Sequence, residues 1–362
     1  NADAYLRPNL SNQEGASTIV EPTPTGFKVQ NNGWTNVSGA NIIYIAIRRG
    51  PMAVPTAATD VFSVKNYVGT TTSAEVTHDV NFDLEMSANR DAQAAKFIIV
   101  VALVTSDTAS EATYPAYWSR KDQYTMYAPS AYDDWWASGS GSANHISYGL
   151  VRAPSFCDVV AYTGDGTAGR TVSHNLGVAP EMIWVKKRSA VGDWYVYHTG
   201  MDATAPEDYR MSINSTAARV DDFRPWNDTA PTDTVFSLGT SGDTNDSGVT
   251  YIAYLFASLD GVSKVGSYTG DSTTGRVIDC GFTSGARFVL IKRTDGAGDW
   301  AVWDSERGIV AGNDPRLRLN DTSAEVTGYD ILDPHSSGFI VNHTAALAAN
   351  ESGQSYIFYA IA

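Results

Sequence analysis

Short apolar stretches separated by polar turn residues recur along the chain. Met182–Lys186 and Phe288–Lys292 are apolar on both alternating faces before a basic end, which is typical of a central strand buried on both sides or packed under a neighbouring module. Aromatic and β-branched runs at 194–198 and 251–256 lie between Gly, Asp and Asn turn signals. No helical period persists along the chain, and a helix is expected only around 88–95. The pattern therefore predicts an all-β fold.

Two parts of the chain repeat each other at a constant offset. Tyr162–Asp165 returns as Tyr268–Asp271, an offset of 268 − 162 = 106, and Gly192–Trp194 returns as Gly298–Trp300 in the same register. A constant register over a whole segment indicates an internal structural repeat. Each repeat contains seven or eight strand-like runs, and this predicts tandem antiparallel β-sandwich modules of about 105 residues.

Weaker similarities extend the repeat towards the N-terminus. Gly26–Val29 resembles Gly338–Val341, and His78 stands where His174 would fall in a further copy. The predicted organisation is the second half of a module over 1–57, a diverged and aromatic-rich module over 58–155, and two sister modules over 156–258 and 259–362. Because the first residue is Asn1 and no signal peptide is visible, we expect the chain to begin inside a longer product or after processing.

The repeated residues resemble a known family. Tyr162–Gly166, then His174–Lys186, Asp193-Trp194 and an Asn-x-Ser-Gly-x-x-Tyr-Ile ending are similar to repeat modules in tail-fibre and other virion structural proteins of tailed bacteriophages, often marine ones. The resemblance covers 150–362 and 20–55. It implies a virion protein of the particle surface or tail, which binds other virion proteins, associates as a homo-oligomer, by analogy a trimer, and contacts a host glycan or receptor. It transfers no catalytic or ligand-binding residues.

Two alternatives stay open beside a receptor-binding tail or surface fibre. One is a capsid decoration or head fibre protein, and the other is a glycan-binding or glycan-cleaving module. For the glycan-cleaving alternative, the candidate carboxylates are Asp133-Asp134 and Asp221-Asp222, although solvated turns are the favoured interpretation of both pairs. Asp243–Gly248 begins like a calcium loop but lacks the closing Glu, so a hairpin turn is expected there.

The composition and charge of the chain limit the classes of function that the sequence favours. With 40 acidic and 25 basic residues the net charge is −15, which disfavours nucleic-acid binding. No apolar run reaches the ~20 residues of a membrane span. The six histidines show no ligand spacing, and Cys157 and Cys280 are expected to be buried free thiols. We therefore expect no metal, no cofactor and no enzymatic activity. Trp194 and Trp300 are expected in core or inter-module packing, and Arg307 is expected to pair with Asp304.

One segment is unusually rich in aromatic residues. Its rings can stack on sugars or anchor a protein interface, and the other interpretation is an aromatic-rich core. The candidate ligand or interface residues are Tyr114, Tyr117, Trp118, Tyr124, Tyr127, Tyr132, Trp135 and Trp136.

Overall fold

The computed structural model describes residues 53–68, 75–80, 82–91, 144–342 and 349–362, together with Ser38 and the backbones of six short strands outside these ranges. The chain forms two compact units, Asn1–Met52 and Ala53–Ala362. In the first unit β1 (Asp3–Tyr5) pairs with β2 (Gly15–Ser17), and β3 (Val20–Thr23) pairs with β4 (Gly26–Val29), both antiparallel.

In the second unit, the segment 58–155 precedes the two sister segments, and we call it the first copy. A 3-10 helix at Ala58–Asp60 precedes its strands. The strands are β5 (Phe62–Val68), β6 (Glu75–Thr77), β7 (Leu84–Asn89), β8 (Ile98–Val101), β9 (Thr125–Tyr127) and β10 (Asn144–Leu150). They form a sheet of order β5-β10-β7-β8 and a separate β6-β9 pair.

The helix expected around 88–95 is wrong where the structure describes it, because Ala88 and Asn89 belong to strand β7. Residues 92–97 lie outside the described residues. In β7 the side chains of Leu84, Met86 and Ala88 belong to the apolar core, so the alternation has a period of two, which is that of a strand.

The second copy, 156–258, repeats this arrangement with two more strands. They are β11 (Cys157–Thr163), β12 (Arg170–Ser173), β13 (Met182–Lys187), β14 (Tyr195–His198), β15 (Tyr209–Ser212), β16 (Val220–Asp221), β17 (Val235–Leu238) and β18 (Thr250–Phe256). The larger sheet has the order β11-β18-β13-β14-β15-β16, and β12 pairs with β17. Single helical turns lie at Thr199–Met201, Pro206–Asp208 and Gly242–Asn245.

The third copy, 259–362, has the same core order. Its strands are β19 (Ser263–Thr269), β20 (Arg276–Asp279), β21 (Phe288–Arg293), β22 (Ala301–Asp304), β23 (Leu317–Arg318), β24 (Leu332–His335), β25 (Gly338–Val341) and β26 (Ser355–Ile361). The sheets are β19-β26-β21-β22-β23 and β20-β25-β24.

All three copies therefore share one strand order, in which the last strand lies between the first and the third of the larger sheet. The predicted all-β fold of antiparallel, sandwich-like sheets is confirmed. In the first unit, the β3–β4 hairpin joins Val20 to Val29 and Thr23 to Gly26. The β24–β25 hairpin joins its strands in the same register, which matches the sequence similarity between the two segments. The predicted module boundaries stay predictions.

Each larger sheet of the second unit buries both faces. In β13, Ile183 and Val185 pack under the small β12–β17 pair with Phe236. Met182 and Trp184 point to the opposite face and join a core shared by all three copies. The apolar run at 182–186 is thus a strand buried on both sides, as its sequence predicts.

The shared core is built from large rings contributed by different copies. Phe288 of the third copy lies 6.0 Å from Phe62 and 5.2 Å from Tyr148 of the first, measured between ring centroids. Tyr359 of the third copy lies 5.1 Å from Phe256 of the second. Burying one such side chain contributes about 1.5–3 kcal/mol, so the copies stabilise one another through the faces that their smaller sheets leave uncovered.

Candidate functional site

The eight aromatic candidates fall outside what the structure describes. The side chains of Tyr114, Tyr117, Trp118, Tyr124, Tyr127, Tyr132, Trp135 and Trp136 lie outside the described residues, and of these only the backbone of Tyr127, in β9, is placed. Asp133 and Asp134 also lie outside them. The aromatic interface therefore stays a prediction, and the site described below consists of the polar contacts between the copies.

A buried ion pair lies at the C-terminal end of strand β22. The Arg307 guanidinium donates from Nε to Asp304 Oδ2 at 2.5 Å, and the Arg307 backbone N–H donates to Asp304 Oδ1 at 2.9 Å. Both side chains are 0% exposed. The predicted Asp304–Arg307 pairing is confirmed, and its complete burial makes it much more costly to break than a surface ion pair.

This pair is the centre of what we call the Arg307 cluster: Arg90, Tyr148, Asp304, Arg307 and Glu325. The Tyr148 hydroxyl of the first copy donates to Asp304 Oδ2 at 2.7 Å. Glu325 accepts from Arg307 at 3.1 Å and from Arg90 of the first copy at 2.8 and 3.0 Å. Burial alone would lower the pKa of Arg307, but Tyr148 and the two carboxylates raise it above its ordinary value. The cluster joins the first and third copies with charge-assisted hydrogen bonds.

The second and third copies meet at a buried lysine and a tryptophan. Lys292 Nζ donates to the carbonyl of Thr216 at 3.1 Å and to that of Gly298 at 2.8 Å. Burial lowers the pKa of Lys292 to about 8. The Trp300 indole donates from Nε1 to the Ser212 carbonyl at 2.9 Å. The expected inter-module packing of Trp300 is confirmed.

The sister residues of the second copy make local contacts instead. Trp194 is half-buried and stacks on Tyr254, with 6.0 Å between ring centroids. Lys186 donates to Gly192 at 2.7 Å. The same residue types at equivalent positions therefore contact different neighbours in the second and third copies.

One backbone contact recurs between the copies. The Arg219 N–H of the second copy donates to the Thr294 carbonyl of the third at 2.8 Å, and the Glu325 N–H of the third donates to the Arg90 carbonyl of the first at 3.0 Å. Arg219 and Glu325 are separated by the repeat offset, 325 − 219 = 106. Thr294 and Arg90 are equivalent too, because each follows the third strand of the shared order and donates to the residue at the start of the last strand. The hydrogen bond from the third copy to the first is therefore equivalent to the hydrogen bond from the second copy to the third.

His198 lies inside the contact between the second and third copies. Its Nε2 lies 3.3 Å from the Phe358 carbonyl, and its Nδ1 accepts from the Gly200 N–H at 2.9 Å. Nε2 therefore carries the proton of a neutral ring. Burial lowers the pKa of His198 to about 4. The corresponding residue of the third copy is Asp304, so one position supplies a neutral donor in one contact and a carboxylate in the other.

We expect His198 to make stability depend on pH. Its pKa is lower in the folded chain than in the unfolded one, so its contribution is present above about pH 6.5 and is lost as the pH falls towards 4. The full loss is about 3 kcal/mol. Urea unfolding followed across this range measures it.

The control is His198→Gln, whose side-chain amide can still donate to Phe358 but does not titrate. The wild type should lose about 3 kcal/mol more than this variant between the two ends of the range. Asp314, whose pKa burial raises to about 6, acts in the opposite direction in both proteins and cancels in the difference. Identical pH profiles would contradict the assignment.

The candidate catalytic carboxylate Asp222 is not exposed to solvent, and its side chain is not available to a substrate. It is buried between Arg210, which donates from Nε at 2.9 Å, and Arg224, which donates at 2.7 and 2.8 Å. These hydrogen bonds, that of Arg224 foremost, hold the pKa of Asp222 at about 2. The expected solvated turn is therefore wrong for Asp222, because two guanidiniums compensate its burial. The neighbouring Asp221 is exposed, as predicted.

The recurrent Tyr-Thr-Gly-Asp motif has a structural explanation. A side chain at Gly164 or at Gly270 would collide with the backbone carbonyl of Asp246 or Glu351, respectively, so only glycine permits the close approach.

A buried asparagine holds the same turn in both sister copies. The Asn245 amide donates to Thr167 at 3.0 Å, and its counterpart Asn350 donates to Thr273 at 2.8 Å.

The calcium-like stretch 243–248 begins in a single helical turn, where a hairpin turn was expected. Within the described ranges, no group of three or more His, Cys, Asp or Glu side chains could hold a metal ion.

Both cysteines are buried and free, as predicted. Burial raises the pKa of Cys157 and brings that of Cys280 to about 12, so neither forms a thiolate at neutral pH.

The first copy contains a buried cluster of polar side chains that the sequence did not predict. His78 Nε2 lies 2.9 Å from Ser147 Oγ, and the hydroxyls of Ser87 and Ser147 both donate to Glu85 Oε1. A serine nucleophile needs its acid on the opposite ring nitrogen of the histidine, whereas Glu85 lies 4.0 Å from the same Nε2. The alternation of polar residues at 85, 87, 145 and 147 between apolar neighbours was the available signal.

No helix in the described part of the chain is long and apolar enough to cross a membrane. Residues 128–362 match a family model described as a domain of unknown function, DUF7483. No curated protein and no solved structure matches the chain. The matched residues span the end of the first copy and all of the second and third. Because they make up more than half of the sequence, the chain belongs to the DUF7483 family.

Proposed function

We propose that the chain is a structural protein of a bacteriophage virion, located on the particle surface or in the tail. The observation that carries the proposal is the construction of the second unit. Copies of one β-topology share a single apolar core and are held by buried charged contacts such as Arg307–Asp304. Such an arrangement resists local opening, which suits a rigid part of a particle. The sequence resemblance to tail-fibre modules supports the same role.

Receptor or subunit contact is assigned within this proposal to the aromatic segment from Tyr114 to Trp136. Aromatic side chains supply large contact areas at low entropic cost. The partners are other virion proteins, identical chains in a homo-oligomer, by analogy a trimer, and a host surface glycan or receptor. In each larger sheet, the apolar face that the smaller sheet leaves uncovered is already buried against the other two copies. Association with identical chains must therefore use other surfaces.

Two alternatives differ in the location or the chemistry of the contact. A capsid decoration or head fibre protein would use the same rigid copies on the capsid. A glycan-binding or glycan-cleaving module is favoured only by the aromatic segment and by Asp133-Asp134 within it. Loss of glycan binding in Trp135→Ala and Trp136→Ala would support binding, and loss of cleavage in Asp133→Asn would support catalysis.

The expected result for the proposal is that antibodies against the purified chain label intact phage particles at one morphological position. Negative-stain imaging with gold-labelled antibody measures this, and particles of an unrelated phage are the control. Label on tails or fibres supports the preferred form, and label on the capsid supports the decoration form. Antigen found only in lysate, with intact particles unlabelled, would contradict a virion role.

A further inference from the structure

The sister copies differ at one buried arginine. In the second copy, Arg210 pairs with Val220 across strands β15 and β16. Its guanidinium lies 4.4 Å from the Tyr195 ring and donates to Asp222 at 2.9 Å. A ring face and a carboxylate thus compensate this half-buried positive charge.

The third copy keeps the arginine and loses both compensating groups. Arg316 makes the same bridge, to Val326, but the offset of 106 places Ala301 where Tyr195 stands and Gly328 where Asp222 stands. Arg316 is 3% exposed, and burial lowers its pKa. Among the described residues, its Nε and Nη1 atoms have no hydrogen-bond partner.

The neighbouring carboxylates do not replace the missing one. Asp299 and Asp321 each form an ion pair with Arg318, at 2.8 Å. Asp299 attracts the Arg316 guanidinium, but no described carboxylate accepts a hydrogen bond from its Nε or Nη1. Burying a charge without such acceptors is strongly unfavourable, so a group that neutralises Arg316 gains binding free energy. At the position that corresponds to Asp222, the space beside the backbone is open, because a Cβ atom at Gly328 would meet no heavy atom within 4 Å.

We propose that Arg316 binds a carboxylate group of a ligand, in the position that the Asp222 side chain occupies in the second copy. The planar fork of a guanidinium matches the two oxygens of a carboxylate. The chain thus supplies its own carboxylate in one copy and takes it from outside in the other. This assignment does not depend on the proposed virion role.

The test compares the unfolding temperature of the full chain in sodium acetate and in sodium chloride at equal ionic strength, near neutral pH. Acetate should raise the unfolding temperature of the wild type above its value in chloride by about 2 °C at saturation. Gly328→Asp supplies the carboxylate of the sister copy and should raise the unfolding temperature in chloride while removing the response to acetate. Arg316→Met should remove the response as well.

Gly328→Asn is the matched control, since it has the shape of aspartate without its charge and should not stabilise the chain as Gly328→Asp does. Glucuronate, compared with glucose, distinguishes an acidic sugar from a simple carboxylate, and a rise with either acid supports the proposal. The proposal is overturned if neither acid exceeds its control, if phosphate acts as strongly, or if the response survives in either Gly328→Asp or Arg316→Met.

Discussion

Replacing Arg307 with methionine is expected to reduce the free energy of unfolding by about 3–5 kcal/mol. The substitution keeps most of the apolar stem but leaves Asp304 buried with a negative charge and only the Tyr148 hydroxyl and the backbone N–H of residue 307 to compensate it. It also takes from Glu325 one of its two guanidinium partners. Urea unfolding followed by tryptophan fluorescence measures the loss.

Arg293→Met is the control for this experiment. Arg293 pairs with Asp295 at 2.7 Å, but both side chains are partly exposed, so the expected loss is below about 1 kcal/mol. Tyr148→Phe removes only the hydroxyl donor of the first copy and should cost about 1–3 kcal/mol. If Arg307→Met cost no more than Arg293→Met, the Arg307 cluster would not hold the first and third copies together.

Trp300→Ala is expected to cost about 3–5 kcal/mol. The indole is fully buried between the second and third copies, so its removal leaves a cavity and takes from the Ser212 carbonyl one of its hydrogen bonds. Trp194→Ala, at the equivalent position of the second copy, removes a half-buried ring and should cost less than half as much. Chemical denaturation of both variants under the same conditions gives the comparison.

Trp300→Phe separates the two contributions to this loss. It keeps an aromatic ring in the cavity but cannot donate to Ser212, and it should cost about 1–3 kcal/mol. Equal losses for Trp300→Ala and Trp194→Ala would contradict the assignment of Trp300 to the inter-copy contact, because the sequence makes these two residues sisters and only the structure distinguishes them.

Local patterns in the sequence were sufficient for the strands and the fold class. The period of two and the buried runs gave β13 and β21, and the pairing of Asp304 with Arg307 followed from their spacing. The helix expected around 88–95 is wrong at Ala88 and Asn89. The alanines after Ala88 favour a helix, whereas the period-two positions Leu84, Met86 and Ala88 pack into the shared core. Tertiary packing outweighed local propensity.

The contacts between copies could not be read from the sequence. Tyr148 and Asp304 are 156 positions apart, and Arg90 and Glu325 are 235 apart. No local pattern reports such pairs. The aromatic segment was equally ambiguous, because a tyrosine or tryptophan has the same sequence signature in a core and in an interface. The burial of Asp222 was missed for a related reason, since its partner Arg210 lies on another strand.

The repeated contact that joins Arg219 to Thr294 and Glu325 to Arg90 has a consequence for how the protein evolves and how it responds to dilution. In an assembly of separate single-repeat chains, every substitution would appear at all junctions at once, and the junctions would weaken as the concentration fell. Here the covalent connection keeps the effective concentration of each neighbour high and constant. Each junction can therefore acquire its own chemistry, a neutral histidine at 198 and a carboxylate at 304, without any change in the other.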